Sequence, residues 1–360
     1  MPAPDGPLAG LFAEAERQLT ICNSCRYCAG YCPVWPELEL RTALGAGDLT
    51  YLANLCHDCQ DCFTACMYTA PHEFALNPPK IFTQLREETY REYPWPHRLP
   101  RWSTGVAFAG TCVLLSLLSY LSTGRLLSAA PEPGAPYRIL PHALMVALVS
   151  LPLAWSAGVL AAAALRYWRA IHGPLRDLVR PRAWPATVAQ AVHLRHMRGG
   201  GAGCDYPGPA PGPARRRFHL AMVYGFGLCI LSTVAAAFQQ EVLGLLPPFP
   251  YVSVPVLSGS LGGIGMVAGG TGLLVLKMRS DPGRTTATMR HADYGLLWAL
   301  LLLAASGLLT LALRGHALFG PVFVAHLAAV MVAFGIAPYT KFVHGIYRLL
   351  AIHKYNVDAR

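Results

Sequence analysis

Long apolar stretches follow one another after residue 100, and they predict membrane-spanning helices. Six such runs each approach the ~20 residues that a helix needs to cross a bilayer. The fourth run is rich in glycine, which permits neighbouring helices to pack closely. The six runs lie at roughly 103–122, 142–165, 219–238, 253–276, 294–313 and 321–343. The pattern therefore predicts a six-helix transmembrane bundle.

In residues 1–100 the apolar stretches are shorter and apolar positions recur at helical spacing, which is typical of a soluble helical domain. An amphipathic helix is predicted over Leu8–Thr20, a helical stretch over Pro36–Leu55, and a further helix over Pro79–Tyr90. We therefore divide the chain into a soluble domain at 1–100 and a membrane domain at 101–360.

Charged residues are few and unevenly placed. The 360 residues are 54% hydrophobic and 13% charged, whereas a soluble domain typically has about a quarter of its residues charged. The net charge is +10. Because the arginines are concentrated in loops beside apolar spans, we attribute this charge to membrane topology and expect no nucleic-acid partner.

Loop charges predict the orientation of the chain in the lipid bilayer. The loop at 166–218 carries ten arginines against two aspartates, and residues 277–290 include four basic side chains. The intervening loops are poor in lysine and arginine. The positive-inside rule then places both termini and the basic loops in the cytoplasm. Residues 1–7 lack the basic and apolar regions of a signal peptide, so we expect a multi-pass protein of the bacterial inner (cytoplasmic) membrane.

Eight cysteines of the soluble domain form two sets of the pattern Cys-x2-Cys-x2-Cys-x3-Cys. The first set is Cys22, Cys25, Cys28 and Cys32, and the second is Cys56, Cys59, Cys62 and Cys66. Thiolates are the soft ligands of iron–sulfur clusters, and in two-cluster proteins the fourth cysteine of each run ligates the other cluster. We therefore assign one [4Fe–4S] cluster to Cys22, Cys25, Cys28 and Cys66, and a second to Cys56, Cys59, Cys62 and Cys32.

The predicted fold class is mainly α: a two-cluster, ferredoxin-like helical domain followed by the six-helix transmembrane bundle. Zinc is a weaker interpretation of the eight cysteines, because zinc sites usually pair two CxxC units. Disulfides are disfavoured where the cytoplasm keeps thiols reduced. Cys204 is a lone thiol in the long basic loop, and we expect it to be structural. Part of that loop, Pro181–Met197, is predicted to form a surface helix.

Histidines on the apolar spans are candidate haem ligands, because polar groups inside a bilayer are costly. His326 and His344 are 18 residues apart in the sequence. On one continuous helix this is five turns, which places both on the same face about 27 Å apart. Pro338 lies between them and is able to kink the helix.

The predicted topology suggests how the histidines pair. His219 and His344 lie at the cytoplasmic ends of spans, His142 and His326 lie toward the outer side, and His291 is a reserve for the inner site. Two histidines suit a b haem that transfers electrons. One or two haems b are therefore predicted; the alternative is that these histidines lie at the membrane interface or hydrogen-bond to neighbouring helices.

Four further motifs are more specific than the cysteine spacing, which many redox subunits share. They are Pro71-His72-Glu73-Phe74, Gly203-Cys204-Asp205-Tyr206-Pro207, Arg216-Arg217-Phe218-His219 and Tyr224-Gly225-Phe226. With the cysteines, they resemble the tricarballylate- or citrate-utilisation protein B family over nearly the whole chain. The family pattern has two adjacent histidines after Phe218, where this chain has His219 and Leu220.

The resemblance implies a membrane-bound iron–sulfur and haem b electron carrier. Members of the family are thought to reoxidise the FAD of a partner dehydrogenase and to pass electrons toward the quinone pool. The chain shows no nucleophile–base set, Walker loop or dinucleotide fingerprint. The substrate chemistry is accordingly expected in the partner.

The predicted function is a membrane-anchored electron carrier. It takes electrons from an FAD-dependent, tricarballylate dehydrogenase-like flavoprotein, and two [4Fe–4S] clusters and haem b connect that donor to a membrane quinone. One alternative is a heterodisulfide- or thiol-reductase-like membrane subunit in which Cys204 takes part. Another is a non-enzymatic redox-sensing scaffold.

Overall fold

The computed structural model describes residues 7–96, 103–199, 203–208 and 210–358. Within these ranges the chain is mainly α-helical and contains no β-sheet. The helices are α1 (Pro7–Cys25), α2 (Val34–Glu39), α3 (Ala46–Leu55), α4 (Asp61–Thr64), α5 (Pro78–Glu92), α6 (Ser103–Thr123), α7 (His142–Ala170), α8 (Leu175–Leu178), α9 (Trp184–Val192), α10 (Ala214–Glu241), α11 (Val254–Arg279), α12 (Ala287–Ala312), α13 (Phe319–Ile336) and α14 (His344–Asp358). The domain boundary predicted at 100/101 lies outside the described residues.

Helices α1, α3 and α5 pack together to form the core of the N-terminal head. Leu19, Leu52 and Phe82 are each no more than 1% exposed in this core. Tyr347 of α14 and Trp168 at the end of α7 belong to the same cluster of buried side chains. The head is therefore continuous in packing with one end of the membrane domain.

The single helical stretch predicted over Pro36–Leu55 is wrong, because it contains two helices. Helix α2 ends after Glu39, and the chain reaches an extended conformation at Gly45 before α3 begins. The side chain of Asp48 accepts a hydrogen bond from the amide of Gly45 (3.2 Å) and so stabilises the new N-terminus. Leu38 before the break and Leu49 and Leu52 after it are buried in one core, which explains why apolar positions continue across the break in the sequence.

The six predicted spans are confirmed as helices long and apolar enough to cross a membrane, namely α6, α7, α10, α11, α12 and α13. The protein is a membrane protein. The third and fifth helices begin earlier than their apolar runs, at Ala214 and Ala287. Their first turns carry polar residues that hydropathy alone does not include.

Glycines let α10 and α11 approach each other at the level of the backbone. A Cβ atom added at Gly262 would lie 2.7 Å from the carbonyl oxygen of Gly225, and one added at Gly225 would lie 2.7 Å from the oxygen of Gly262. A Cβ at Gly269 would lie 2.6 Å from the oxygen of Phe218. The glycine-rich fourth run therefore packs as small-residue membrane helices do.

The last apolar run does not continue as one helix to residue 343. Helix α13 ends at Ile336, and two 3₁₀ turns, Ala337–Tyr339 and Lys341–Val343, precede α14. Thr340 between the turns is extended, and its hydroxyl accepts a hydrogen bond from the amide of Phe342 (3.2 Å). The predicted five-turn alignment of His326 with His344 is therefore wrong, since the two lie on separate helices.

The basic loops lie at the same end of the bundle as the head. Arg284 donates to the side-chain oxygen of Gln60 (3.1 Å), and Asn77 donates to the backbone oxygen of Gly283 (3.2 Å). Glu87 of α5 accepts a hydrogen bond from the amide of Met289 at the start of α12 (3.0 Å). The head is thus fixed to the loop between α11 and α12.

Loops at the opposite end of the bundle contact one another. The amide of Ala130 donates to the oxygen of Arg314 (2.8 Å), and the amide of Gly134 donates to the oxygen of Pro247 (2.6 Å). The guanidinium of Arg314 also donates to the oxygen of Phe249 (3.1 Å). These hydrogen bonds join the loops at the end of the bundle opposite the head. Few residues of these loops are charged.

The surface helix predicted over Pro181–Met197 is shorter than expected and is packed against the head side of the protein. It consists of α9 and a separate 3₁₀ turn at Arg195–Arg198. Trp184 stacks on His353 of α14 with ring centroids 4.2 Å apart. The neighbouring Thr187 hydroxyl lies 3.3 Å from Nδ1 of the same histidine.

We expect Gly262→Ala to destabilise the protein, because the new methyl group would meet backbone atoms that cannot move aside. Overpacking of this kind costs about 1–3 kcal/mol. Gly227→Ala is the matched control, since a Cβ there meets nothing within 4 Å and alanine favours a helix by up to about 1 kcal/mol. Thermal unfolding of both variants in detergent measures the difference. Equal melting temperatures would contradict the proposed backbone contact.

Candidate metal centres

The first predicted cysteine quartet lines one cavity of the head. Cys22, Cys25, Cys28 and Cys66 all border it, together with Cys62. The first two lie on the last turn of α1, so a helix rather than a turn presents them. Arg26 then adopts a left-handed conformation (φ 55°), which reverses the chain toward Cys28.

The second quartet lines a neighbouring cavity. Its cysteines are Cys32, Cys56, Cys59 and Cys62. Cys56 directly follows α3, and two left-handed residues, Asp58 (φ 56°) and Gln60 (φ 69°), fold the chain around Cys59 before α4. Each cavity therefore contains three cysteines of one set and the fourth cysteine of the other, and Cys62 borders both cavities.

The two cavities differ in exposure. Cys25 of the first quartet is exposed, whereas Cys56 and Cys59 of the second are 8% and 7% exposed. Backbone amides of Asp58 and Tyr68 donate to the sulfurs of Cys56 and Cys66, both at 3.4 Å. Hydrogen bonds to sulfur and solvent exposure are the features by which a protein sets the potential of an iron–sulfur cluster.

Burial makes the thiolate form of Cys22, Cys28, Cys59 and Cys62 unfavourable without a cation. It raises the pKa of Cys22 to about 12 and that of Cys28 to about 11, and the neighbouring thiols add to the effect. It also raises the pKa of Cys59 and Cys62 well above the ordinary value. The thiols therefore remain protonated at neutral pH unless a metal centre displaces the protons.

The lining of the two cavities fits iron–sulfur clusters, because each cavity is bordered by at least four cysteines. Four sulfurs around one zinc lie within about 4 Å of each other, given a Zn–S bond of about 2.3 Å. A cubane is larger than an ion, so its ligands are expected to line a cavity, as both quartets do.

His219 of α10 and His344 of α14 face each other. Their ring centroids are 6.4 Å apart and the rings are inclined by 78°. Two metal–nitrogen bonds of ~2 Å, plus ~1 Å from each nitrogen to its ring centre, give about this separation. The pair predicted for the inner haem is thus brought together at a spacing that fits a shared iron.

The ring nitrogens of this pair are also suitable for a metal. Nδ1 of His344 is hydrogen-bonded to the carbonyl oxygen of Lys341, which leaves Nε2 to coordinate. Burial lowers the pKa of His344 to about 3, so its imidazole is neutral. Nδ1 of His219 is buried and has no hydrogen-bond partner among the described residues.

The structure does not show contact between the rings of the outer pair, His142 and His326, in the part of the chain that it describes. His142 contacts the side chain of Gln240 and lies 3.2 Å from the carboxylate of Glu241. Nδ1 of His326 lies 3.0 Å from the hydroxyl of Ser306. A second haem at these two residues stays a prediction.

His291, the reserve for the inner site, is exposed and hydrogen-bonded to its own helix. Its Nδ1 lies 2.7 Å from the carbonyl oxygen of Ala287. This geometry favours His219 and His344 over His291 as the inner pair.

Arginines connect the histidine pair to the second cysteine set. Arg348, one turn beyond His344, donates to the carbonyl oxygen of Cys56 (2.9 Å). Arg215, one turn before His219, donates to the carbonyl oxygen of Asp58 and lies 3.7 Å from its carboxylate. Both helices that carry the histidines therefore contact the loop that carries Cys56 and Cys59 of the second quartet.

Comparison with known proteins identifies the family of the chain. The family profile "Citrate utilization protein B" matches residues 98–360, and the profile "Citrate utilization protein B Fer4-like domain" matches residues 15–92. The chain belongs to the citrate utilization protein B family. "Citrate utilization protein B" of Escherichia coli is 38% identical over 359 residues, which cover 97% of this chain and 93% of that protein. No solved structure matches the chain.

Membership of the citrate utilization protein B family, with its Fer4-like domain, supports an iron–sulfur electron-transfer role for the head. The arginine contacts were not found from the sequence. Their only signal is the four-residue spacing of Arg215 from His219 and of His344 from Arg348, which places each pair on one helical face.

The long basic loop of this citrate utilization protein B family member covers the second quartet. Cys59 belongs to a buried cluster with Met197, Cys204 and Tyr206. The thiol of Cys204 is fully buried and donates to the carbonyl oxygen of Met197 (3.0 Å). The Gly-Cys-Asp-Tyr-Pro motif marks this part of the loop in the sequence. Its contact with Cys59 could not be predicted from the motif, because the contact depends on tertiary structure.

We expect serine substitutions to divide the cysteines by cavity and not by sequence set. Cys66→Ser should remove the same cluster signal as Cys28→Ser, and Cys32→Ser the same signal as Cys59→Ser, because each pair shares a cavity. Electron paramagnetic resonance of the reduced protein, with iron and sulfide analysis, measures the loss. Cys112→Ser, on membrane helix α6, is the control and should retain both signals. Pairing of Cys32 with Cys28 would disprove the crossed assignment.

Proposed function

We propose that this member of the citrate utilization protein B family carries electrons from the FAD of a partner dehydrogenase to a membrane quinone. The observation that supports the proposal most directly is the order of three sites. A quartet that opens to solvent at Cys25 adjoins a quartet in which Cys56 and Cys59 are buried, and arginines one turn from His219 and His344 contact the backbone of that second quartet's loop.

The residues of this chain bind the redox groups and set their order. The two quartets would hold [4Fe–4S] clusters, and His219 and His344 would hold a haem b. When bound, these groups supply one-electron chemistry. A flavin releases two electrons, so one-electron sites in series are suited to connect it with a quinone.

Exposure favours the first quartet as the place where electrons enter. Cys25 is exposed, and the side chains of Tyr27 and Met67 at the same cavity are 59% and 63% exposed. The second quartet is covered by the long loop and lies against Arg215 and Arg348. A partner flavoprotein is therefore expected to approach the first quartet.

We place the head, both termini and the basic loops in the cytoplasm, with the spans in the bacterial inner membrane. The support is twofold. The arginine-rich loops carry the charge bias of cytoplasmic loops, and the loop after α11 contacts the head through Arg284 and Gly283.

Burial of Cys204 favours electron transfer over thiol chemistry. A reactive thiol needs a lowered pKa and access, but Cys204 is 0% exposed and burial raises its pKa. Its hydrogen bond to Met197 and its packing beside Cys59 are those of a structural residue.

We expect Cys25→Ser to stop reoxidation of the partner's FAD, because the exposed cluster would lose a ligand. Stopped-flow absorbance of the reduced FAD measures the rate, which should fall to the background rate. Substrate oxidation by the partner with an artificial dye should be unchanged. Ser24→Ala is the matched control, since this neighbouring hydroxyl only donates to the carbonyl oxygen of Thr20 (3.1 Å). Wild-type reoxidation in Cys25→Ser would contradict the proposal.

We expect His344→Ala and His219→Ala each to lose the inner haem, because one iron needs both imidazoles for a low-spin b haem. The reduced-minus-oxidised optical spectrum of the purified protein measures haem content. His291→Ala should keep the wild-type spectrum. Loss of the haem in His291→Ala with retention in His219→Ala would make His291 the ligand instead.

A further inference from the structure

Arg348 has a buried hydrogen-bond donor without an acceptor. Its Nη2 donates to the carbonyl oxygen of Cys56 (2.9 Å), but its Nε is buried and has no partner among the described residues. The oxygen of Cys56 also accepts from Arg86 (3.3 Å). Because an unpaired buried donor on a charged group is costly, such a position suits an anionic acceptor.

The position of Arg348 relates this donor to the histidine pair. Arg348 follows His344 by four residues on α14, so both lie on one face of the helix, about one turn apart. His344 in turn faces His219 across 6.4 Å. The unpaired donor thus belongs to the face that carries a candidate haem ligand.

Other cations near the pair already have anionic partners. Arg215 is held by Asp58, and its guanidinium lies 4.5 Å above the ring of Tyr206. Lys341 is paired with Asp293, which also binds Lys277 at 2.6 Å. Of these cations, Arg348 is the one with a buried unmet donor in the described part of the chain.

We propose that Nε of Arg348 binds a propionate carboxylate of the haem held by His219 and His344. This inference rests on the proposed haem site and specifies it further. Haem b carries two propionates, and arginine is suited to bind carboxylates through charge-assisted hydrogen bonds. Because the same guanidinium holds the carbonyl of Cys56, Arg348 is a positioning residue between the haem and the second cysteine quartet.

The test compares haem b with its dimethyl ester, in which both propionates are blocked. Each porphyrin is titrated into the full-length protein, produced under haem limitation and held in detergent, and absorbance of the low-spin complex gives its affinity. We expect the wild type to prefer natural haem by about tenfold or more, the usual effect of a hydrogen bond to a charged group. In Arg348→Leu that preference should disappear through weaker binding of natural haem, while ester binding stays unchanged.

Two further variants complete the comparison. Arg348→Lys keeps the charge but loses the guanidinium geometry, so part of the preference should remain. Arg216→Leu is the matched control, because this arginine donates to the carbonyl oxygens of His193 (2.7 Å) and Leu194 (3.3 Å) in the basic loop. It should keep the full preference.

The outcomes separate this inference from the proposed function. Equal affinity of the wild type for haem and its ester would overturn the propionate site and leave the haem site intact; a lipid phosphate would then be the better acceptor. An unchanged preference for natural haem over its ester in Arg348→Leu would also overturn the propionate site. Failure of the wild type to bind either porphyrin would contradict the haem site itself. If Arg348→Leu does not fold, the proposal is tested by comparing haem with its ester in the wild type and in Arg348→Lys.

Discussion

Buried arginines hold the backbone of the second cysteine set from three directions. Arg86 reaches the carbonyl oxygen of Cys56 from α5 of the head, and Arg348 reaches the same oxygen from α14. Arg215 binds Asp58 from the start of α10. Charged donors of this kind are costly to leave unpaired once buried. The contacts therefore fix where the head lies on the membrane helices, and the order of the candidate redox sites follows from them.

Burial gives the two quartets different surroundings although their sequence pattern is the same. The first opens to solvent at Cys25, while the second is closed by Met197, Cys204 and Tyr206 of the long basic loop. Exclusion of water strengthens nearby electrostatic interactions. The guanidinium groups therefore act more strongly on the second quartet than they would at the surface, so the two sites are expected to differ in potential.

Sequence patterns were reliable where local spacing determines the structure. The six apolar runs depend on helix length, and the structure contains the six spans. The crossed ligation of the two clusters stays a prediction, although the members of each predicted quartet border one cavity. The break at Gly45 was not predicted, because apolar residues continue on both sides of it. Pro338 indicated a kink before His344, but not the end of α13 at Ile336. Arg348 looked like an ordinary basic residue of the tail, since its contact with Cys56 joins residues 292 positions apart.

The break after Ile336 explains why His344 is able to belong to the inner site. A helix continued through residue 343 would carry the last histidine along the axis of α13. Instead, Thr340 turns the chain, and Lys341, anchored by Asp293, presents its carbonyl oxygen to Nδ1 of His344. Helix α14 then leaves in a new direction and packs against α3 and α9 of the head side. The lost alignment with His326 is thus the same structural change that brings His344 toward His219 and Arg348 toward Cys56.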